Sequence, residues 1–123
     1  MSEIVELDPR TPFIAQLAST AAPIVMLNIF RIDPEDVDAF ERHWAVAAAF
    51  MKIQKGFISQ QLHRGLDGAP VYMNYGVWES AAALQAVFRS PQFQAMRDGY
   101  PKSAKATPFL FRMQAVPGIC IGW

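Results

Sequence analysis

Apolar and polar residues alternate along this chain with two different periods, and the switches between periods mark its elements. The clearest is Ile24 to Ile32, IVMLNIFRI, a run of β-branched and large apolar residues closed by Asp33-Pro34, which predicts a strand. By the two-residue period Ile24, Met26, Phe30 and Ile32 share one face and Val25, Leu27 and Ile29 the other, so this strand must be covered on both sides. From Pro34 to about Gln54 the spacing lengthens to three and four, with Val37, Phe40, Trp44, Ala47, Ala48 and Met51 on one stripe of a helix. Asp33 stands at its cap, Pro34 in its first turn, and Gly56 just past its end. Glu35, Asp36 and Asp38 suit the positive end of the dipole and Lys52 and Lys55 the negative end.

Period two returns in Phe57 to Arg64 and in Val71 to Trp78, joined by the turn Leu66-Asp67-Gly68-Ala69-Pro70 into a β-hairpin. Ser80 opens a short helix through Phe88, and Ser90-Pro91 opens another helical turn carrying Phe93 and Met96. Gly99 to Lys105 has the character of a loop, and Phe109 to Val116 of a last strand ended by Pro117-Gly118. Residues 1–22 form an arm, with a short docking helix after Thr11-Pro12 that puts Phe13, Ile14 and Leu17 on one side; residues 117–123 are a tail with alternating Ile119, Ile121 and Trp123.

Strand, helix, hairpin, helix, strand over residues 23–116 is the ferredoxin-like βαββαβ order of an α+β fold, a four-stranded antiparallel sheet with helices on one face. At ~4.8 Å per strand and ~3.3 Å per residue, four strands of about six residues leave roughly 400 Å² on the other face. That face is apolar here, so the economical solution is a homodimer of two sheets packed face to face. The tail then either crosses to the partner or adds to the edge of its own sheet.

Composition narrows the function classes. A chain of 123 residues with 52% hydrophobic and 18% charged residues holds one ordered domain. Eleven basic residues balance eleven acidic ones, without a basic cluster, so counterion release offers no drive toward nucleic acid. The one cysteine, Cys120, forms no intrachain disulfide; it fits a cytoplasmic setting and reads as a small apolar filler. The apolar stretch from Phe13 to Phe30 is broken by Gln16, Ser19, Thr20, Pro23 and Asn28, which suits neither a signal peptide nor a membrane span.

The strand LNIFRI, the hairpin around GFISQQLHR, the segment NYGVWES and the later SPQF resemble the antibiotic biosynthesis monooxygenase family, whose members are dimeric α+β barrels. The resemblance runs from about Pro23 to Val116, and its most specific element is Trp78-Glu79-Ser80 after an apolar strand, preceded by Gly56-Phe57. It implies one of several activities: oxygenation of phenolic polyketides without metal or organic cofactor, haem degradation, or quinol oxidation. The family's Asn-x-x-x-Trp matches Asn74 and Trp78, which share a strand face with Tyr72, and the first-strand Asn of haem-degrading members matches Asn28. Two departures stand out: Ser80 to Phe88 lacks the Tyr of the polyketide oxygenases, and Arg89 to Tyr100 lacks the ligating His of haem degraders.

Oxidation of an electron-rich phenol by O₂ alone requires an apolar pocket, hydrogen-bond donors for the anion that forms, and in some cases a base. Candidate donors are the Asn28 and Asn74 amides, the Trp78 indole N–H and the Tyr72 hydroxyl. Met26 and Phe30 flank Asn28 on its strand and would contact the substrate with Tyr72. Asn28 interrupts a strand that should be buried, where an unpaired amide costs roughly 1 to 3 kcal/mol, so it serves either a pocket or a structural hydrogen bond. Trp78 is a donor or a piece of core. His63, on the second strand, is the candidate base or else an exposed strand-end side chain, and His43 is a surface or boundary residue. The two histidines, twenty positions apart without nearby Cys or carboxylates at ligand spacing, make no metal site, and no phosphate loop or nucleophile elbow is present. The reading is a cofactor-independent monooxygenase acting on a small aromatic or quinol-like substrate; the alternatives are a haem-binding or haem-degrading protein and a non-catalytic ligand-binding dimer.

Overall fold

The computed structural model describes residues 3–123; the first two residues of the predicted arm lie outside the described residues. In chain order the elements are β1 (Glu3–Ile4), α1 (Phe13–Gln16), β2 (Ile24–Arg31), α2 (Val37–Met51), β3 (Phe57–Arg64), β4 (Val71–Trp78), α3 (Ala81–Phe88), α4 (Pro91–Arg97) and β5 (Lys105–Phe111). The strands form one sheet in the order β1-β5-β2-β4-β3, antiparallel throughout except that β1 runs parallel to β5. This is the expected α+β, ferredoxin-like arrangement with one correction. The sheet has five strands and is mixed, because two residues of the arm dock on its edge: the Val5 N–H donates to the Ala106 carbonyl at 2.8 Å. The docking helix forms and buries Phe13 and Leu17, while Ile14 is exposed. Its first free N–H, on Phe13, donates to the Glu6 carboxylate at 2.9 Å.

A second correction concerns the last strand, expected over Phe109 to Val116 and found over Lys105–Phe111. The segment Lys105-Ala106-Thr107-Pro108 looks like loop because it is small, polar and contains proline. In the sheet the proline is harmless. Its nitrogen points the same way as that of Leu110, two residues on, whose N–H leaves the β2 ladder and donates to Gln16 Oε1 at 2.7 Å. Pro108 therefore gives up a hydrogen bond only on the outer edge of β5, beyond the reach of β1.

Asp33 does not cap α2 with its side chain; one 3₁₀ turn, Pro34–Asp36, leads in instead. Ser103 ties this end down, accepting the Asp33 N–H at 3.2 Å and donating to Asp36 Oδ2 at 2.7 Å. Gly56 does end the helix region, with φ +89, and a Cβ there would collide with Ala83 of α3.

One sheet face carries the helices. Its two buried clusters lie at opposite ends of the strands: Phe13, Leu17, Ile24, Met26, Met51, Trp78, Ala81, Leu84 and Val87 at one end, and Phe30, Ile32, Phe40, Tyr72, Ala104 and Ala106 at the other. Asn28 and Asn74 sit between them, paired across β2 and β4. The opposite face presents Leu27, Ile29, Met73, Tyr75, Val77, Phe109 and Phe111, with Tyr75 and Phe111 about 40% exposed (41% and 39%). Among the described residues no helix packs on it; Arg112 and Met113, just past β5, flank only its Val25 end.

After Phe111 the tail turns on itself through a Val116–Cys120 bridge and does not extend the sheet. Cys120 is exposed rather than an interior filler. Among the described residues no helix is long and apolar enough to cross a membrane.

Candidate active site

Where the two core clusters fail to meet, the helix face of the sheet lines a partly open cavity of about 90 Å³. The strands supply its floor: Met26, Asn28 and Phe30 from β2, Asn74 from β4, Gln60 from β3, Ala106 and Pro108 from β5, and Ile4 from β1. Trp44, Ala47, Ala48 and Met51 of α2 form one wall. Phe88 of α3, with Phe93, Met96, Arg97 and Tyr100 of α4 and the turn after it, forms the other.

The floor is polar only at its centre. Asn28 and Asn74 are direct cross-strand partners with both side chains on the cavity side. Neither Oδ1 meets a hydrogen-bond donor among the described residues, although both atoms are buried and Asn74 as a whole is only 8% exposed. An unsatisfied buried amide oxygen costs ~1–3 kcal/mol, so two side by side are a standing cost to the fold and a ready site for a ligand's O–H or N–H groups. Gln60, the third amide of the floor, is already engaged, its Nε2 donating to the Ala48 carbonyl at 3.0 Å.

The second wall adds two groups that composition and period do not reveal. Tyr100 stacks on Phe30 with ring centroids 5.8 Å apart, and burial pushes its hydroxyl well above the usual phenol range. It stays protonated and can donate. Arg97 brings a permanent positive charge to the rim of an otherwise apolar space, where a developing anion is attracted more strongly than in water. Among the described residues the lining contains no carboxylate and no imidazole.

Residues 23–99 match the family described as antibiotic biosynthesis monooxygenase. The chain belongs to this family. Among solved structures it is similar to SnoaB from Streptomyces nogalater, described as a cofactor-independent oxygenase, at 25% identity and a TM-score of 0.69, over 80% of this chain and 99% of that one. It is similar also to a provisionally assigned monooxygenase from Shewanella loihica PV-4, at 26% identity and a TM-score of 0.63, over 80% of this chain and all of that one (100%). A third, a provisionally assigned antibiotic biosynthesis monooxygenase from Caulobacter crescentus CB15, shares the fold at 20% identity and a TM-score of 0.67, over 82% and 96% of the two chains. No curated protein matches the sequence.

Of the residues singled out in the sequence of this family member, Asn28, Asn74, Met26 and Phe30 meet at the cavity. Trp78, Tyr72 and His63 do not. Trp78 lies on the face of Asn74 but one end of the strand away, 1% exposed in the core beneath Ala81 and Leu84 of α3, with Phe57 edge-on at 5.5 Å. Tyr72 lies at the other end, packed on Phe40 at 4.7 Å, and its hydroxyl donates to Glu41 Oε2. Burial, the bond to Glu41 and that carboxylate's charge together push the Tyr72 hydroxyl up to about 12. His63 pairs with Met73 in the hairpin, which places it on the opposite sheet face from Asn74, exposed, with Nδ1 3.3 Å from the Met73 carbonyl oxygen. It cannot act as a base in the cavity. Arg97 and Tyr100 were missed because they lie on a seven-residue helix and the turn after it, too short for a period to fix which way each side chain points.

Proposed function

We propose that this chain is a cofactor-independent monooxygenase that oxidises a small phenolic or quinol-like ring with O₂, bound over the Asn28–Asn74 pair. The observation that carries this reading is the two unpartnered amide oxygens on the floor of an apolar cavity. They accept hydrogen bonds from the hydroxyls of a ring lying flat against Met26 and Phe30; one hydroxyl gives its proton to solvent, and the Tyr100 hydroxyl and the Arg97 charge stabilise the phenolate that forms. The anion passes one electron to O₂, and the pair combines with formation of a C–O bond. Loss of water then leaves a new carbonyl: one oxygen atom enters the product, the other leaves as water, and all four electrons come from the substrate.

With neither carboxylate nor imidazole in the lining, the protein supplies no strong base. The substrate's own acidity, raised by the Arg97 charge and the Tyr100 donor, then decides how much anion is present. An apolar cavity of ~150 Å³ takes up benzene. At about 90 Å³ the cavity described here admits one ring only as a wall yields, which favours a single-ring substrate over a fused one. Haem does not fit these residues: His43 and His63 both lie outside the lining, and the cavity is far smaller than a porphyrin.

The uncovered sheet face carries the rest of the proposal, a homodimer. Leu27, Ile29, Met73, Tyr75, Val77, Phe109 and Phe111 make an apolar surface that no helix among the described residues covers, and a second copy offers the same shape in return. Oxygen uptake with a panel of hydroquinones and anthrones tests the activity. Consumption above the autoxidation blank, greatest for single-ring substrates, is the expected result, and none above the blank overturns it.

A further inference from the structure

The cavity wall built on α4 is its weakest. The helix has seven residues, none of them buried, and it lies off the sheet, so no strand ladder holds it. Yet it and the following turn carry Met96, Arg97 and Tyr100 to the site. One side chain of α2 meets this segment in three ways. The His43 ring bonds through Nε2 to the Met96 carbonyl oxygen, and since a carbonyl only accepts, Nε2 carries the proton. The ring also stands edge-on to Tyr100, centroids 4.5 Å apart at 82°. It fills the space over Gly99 as well, where a Cβ would collide with it. His43 is not itself part of the cavity lining.

We propose that His43 is a positioning residue: it holds the C-terminal end of α4 against α2 and so fixes where Arg97 and Tyr100 stand relative to the Asn28–Asn74 pair. Its role in turnover rests on the reading of the cavity as the oxygenase site; the tether itself does not. The contacts divide into a donor and a ring. His43→Phe keeps the ring against Tyr100 and loses the donor, whereas His43→Gln keeps an N–H at similar reach and loses the ring.

Hydrogen exchange read by mass spectrometry on the full chain tests the tether without a substrate. In His43→Phe the amides of residues 91–100 should exchange about tenfold faster or more, with β2 and β4 unchanged, and His43→Gln should recover most of the protection. Gly99→Ala, which displaces the ring from the other side, should reproduce the pattern with His43 intact. Unaltered exchange over 91–100 in His43→Phe overturns the proposal, as does a rise spread equally over β2 and β4. Oxygen uptake with a hydroquinone then reads the consequence: kcat falls about tenfold in His43→Phe, KM moves less, and His43→Gln restores kcat. A kcat that stays within about twofold of the wild type in His43→Phe ends the positioning role. If the exchange pattern appears while no form of the protein oxidises any phenol, the tether stands and the oxygenase reading alone falls.

Discussion

Replacing Asn74 by leucine separates a binding pocket from ordinary core, because the two assign opposite signs to its effect on stability. Asn74 is 8% exposed and its Oδ1 is buried without a donor. Such an oxygen costs ~1–3 kcal/mol, and an apolar side chain of similar length removes that cost. Leucine has as many heavy atoms as asparagine and a larger volume only through its hydrogens, and the adjoining cavity of about 90 Å³ takes the excess without forcing neighbours off their rotamers. The ligand-free variant is therefore expected to be about 1–2 kcal/mol more stable, which for a chain of this size is a rise of roughly 3–10 °C in Tm. Activity should move the other way. Loss of the acceptor leaves a buried hydroxyl of the bound substrate unpaired, which costs about 1–3 kcal/mol, or roughly 5- to 150-fold in kcat/KM.

Thermal melts followed by circular dichroism, at equal protomer concentration so that any dimer contributes equally, give the first quantity, and oxygen uptake gives the second. Asn28→Leu should show the same signs with a smaller stability gain, since Asn28 is only half-buried. A loss of stability of about 1 kcal/mol or more in Asn74→Leu would show that the amide is a structural partner after all, and the case for a ligand at that place would collapse.

Other expectations follow from the same geometry. Phe111→Glu puts a charge on the uncovered sheet face and should convert a dimer into a 13.7 kDa species in sedimentation; a wild type already of that size at micromolar concentration removes the dimer. His63→Ala should leave kcat/KM within about twofold of the wild type, because His63 lies on the far side of the sheet from the cavity. The Tyr72 hydroxyl, near 10.0 when unfolded and about 12 when folded, ionises first in the unfolded chain. The stability it confers is complete below pH 10 and is lost toward pH 12, so the advantage of the wild type over Tyr72→Phe in urea midpoint should shrink across that window and not below it. Finally, with no base in the lining, the pH profile of kcat/KM should inflect at a value that moves with the acidity of the hydroquinone used; one fixed inflection for all substrates would point to a titrating group of the protein.

Which face a residue takes was legible in the sequence; how far along the strand its function lies was not. The two-residue period correctly puts Met26, Asn28 and Phe30 on one face of β2, and Tyr72, Asn74 and Trp78 on one face of β4. Nothing local distinguishes the middle of that row from its ends. Trp78 becomes core because α3 lies over it and Tyr72 because α2 lies over it, through Phe40 and Glu41. Only Asn74, opposite Asn28, falls in the gap, and that pairing follows from a register between strands some forty residues apart. β1 was illegible for a related reason: two residues carry no period, and they are a strand only because β5 leaves an edge open beside them.

The parts that escaped the sequence are those that no long strand or helix holds in place. The Asn28–Asn74 pair is fixed by the register of β2 between β4 and β5, so it has little room to move. The wall opposite α2 depends on a seven-residue helix whose position is set by side-chain contacts, His43 among them. A Tyr is missing from Ser80 to Phe88, and Tyr100, from another part of the chain, lines this cavity. On the proposed reading, a floor of buried acceptors faced by a wall that a few substitutions can rebuild ties the oxidation chemistry to the sheet and the choice of ring to α4. Exchanging Phe93 and Met96 should therefore change which hydroquinones turn over well before it changes whether any do.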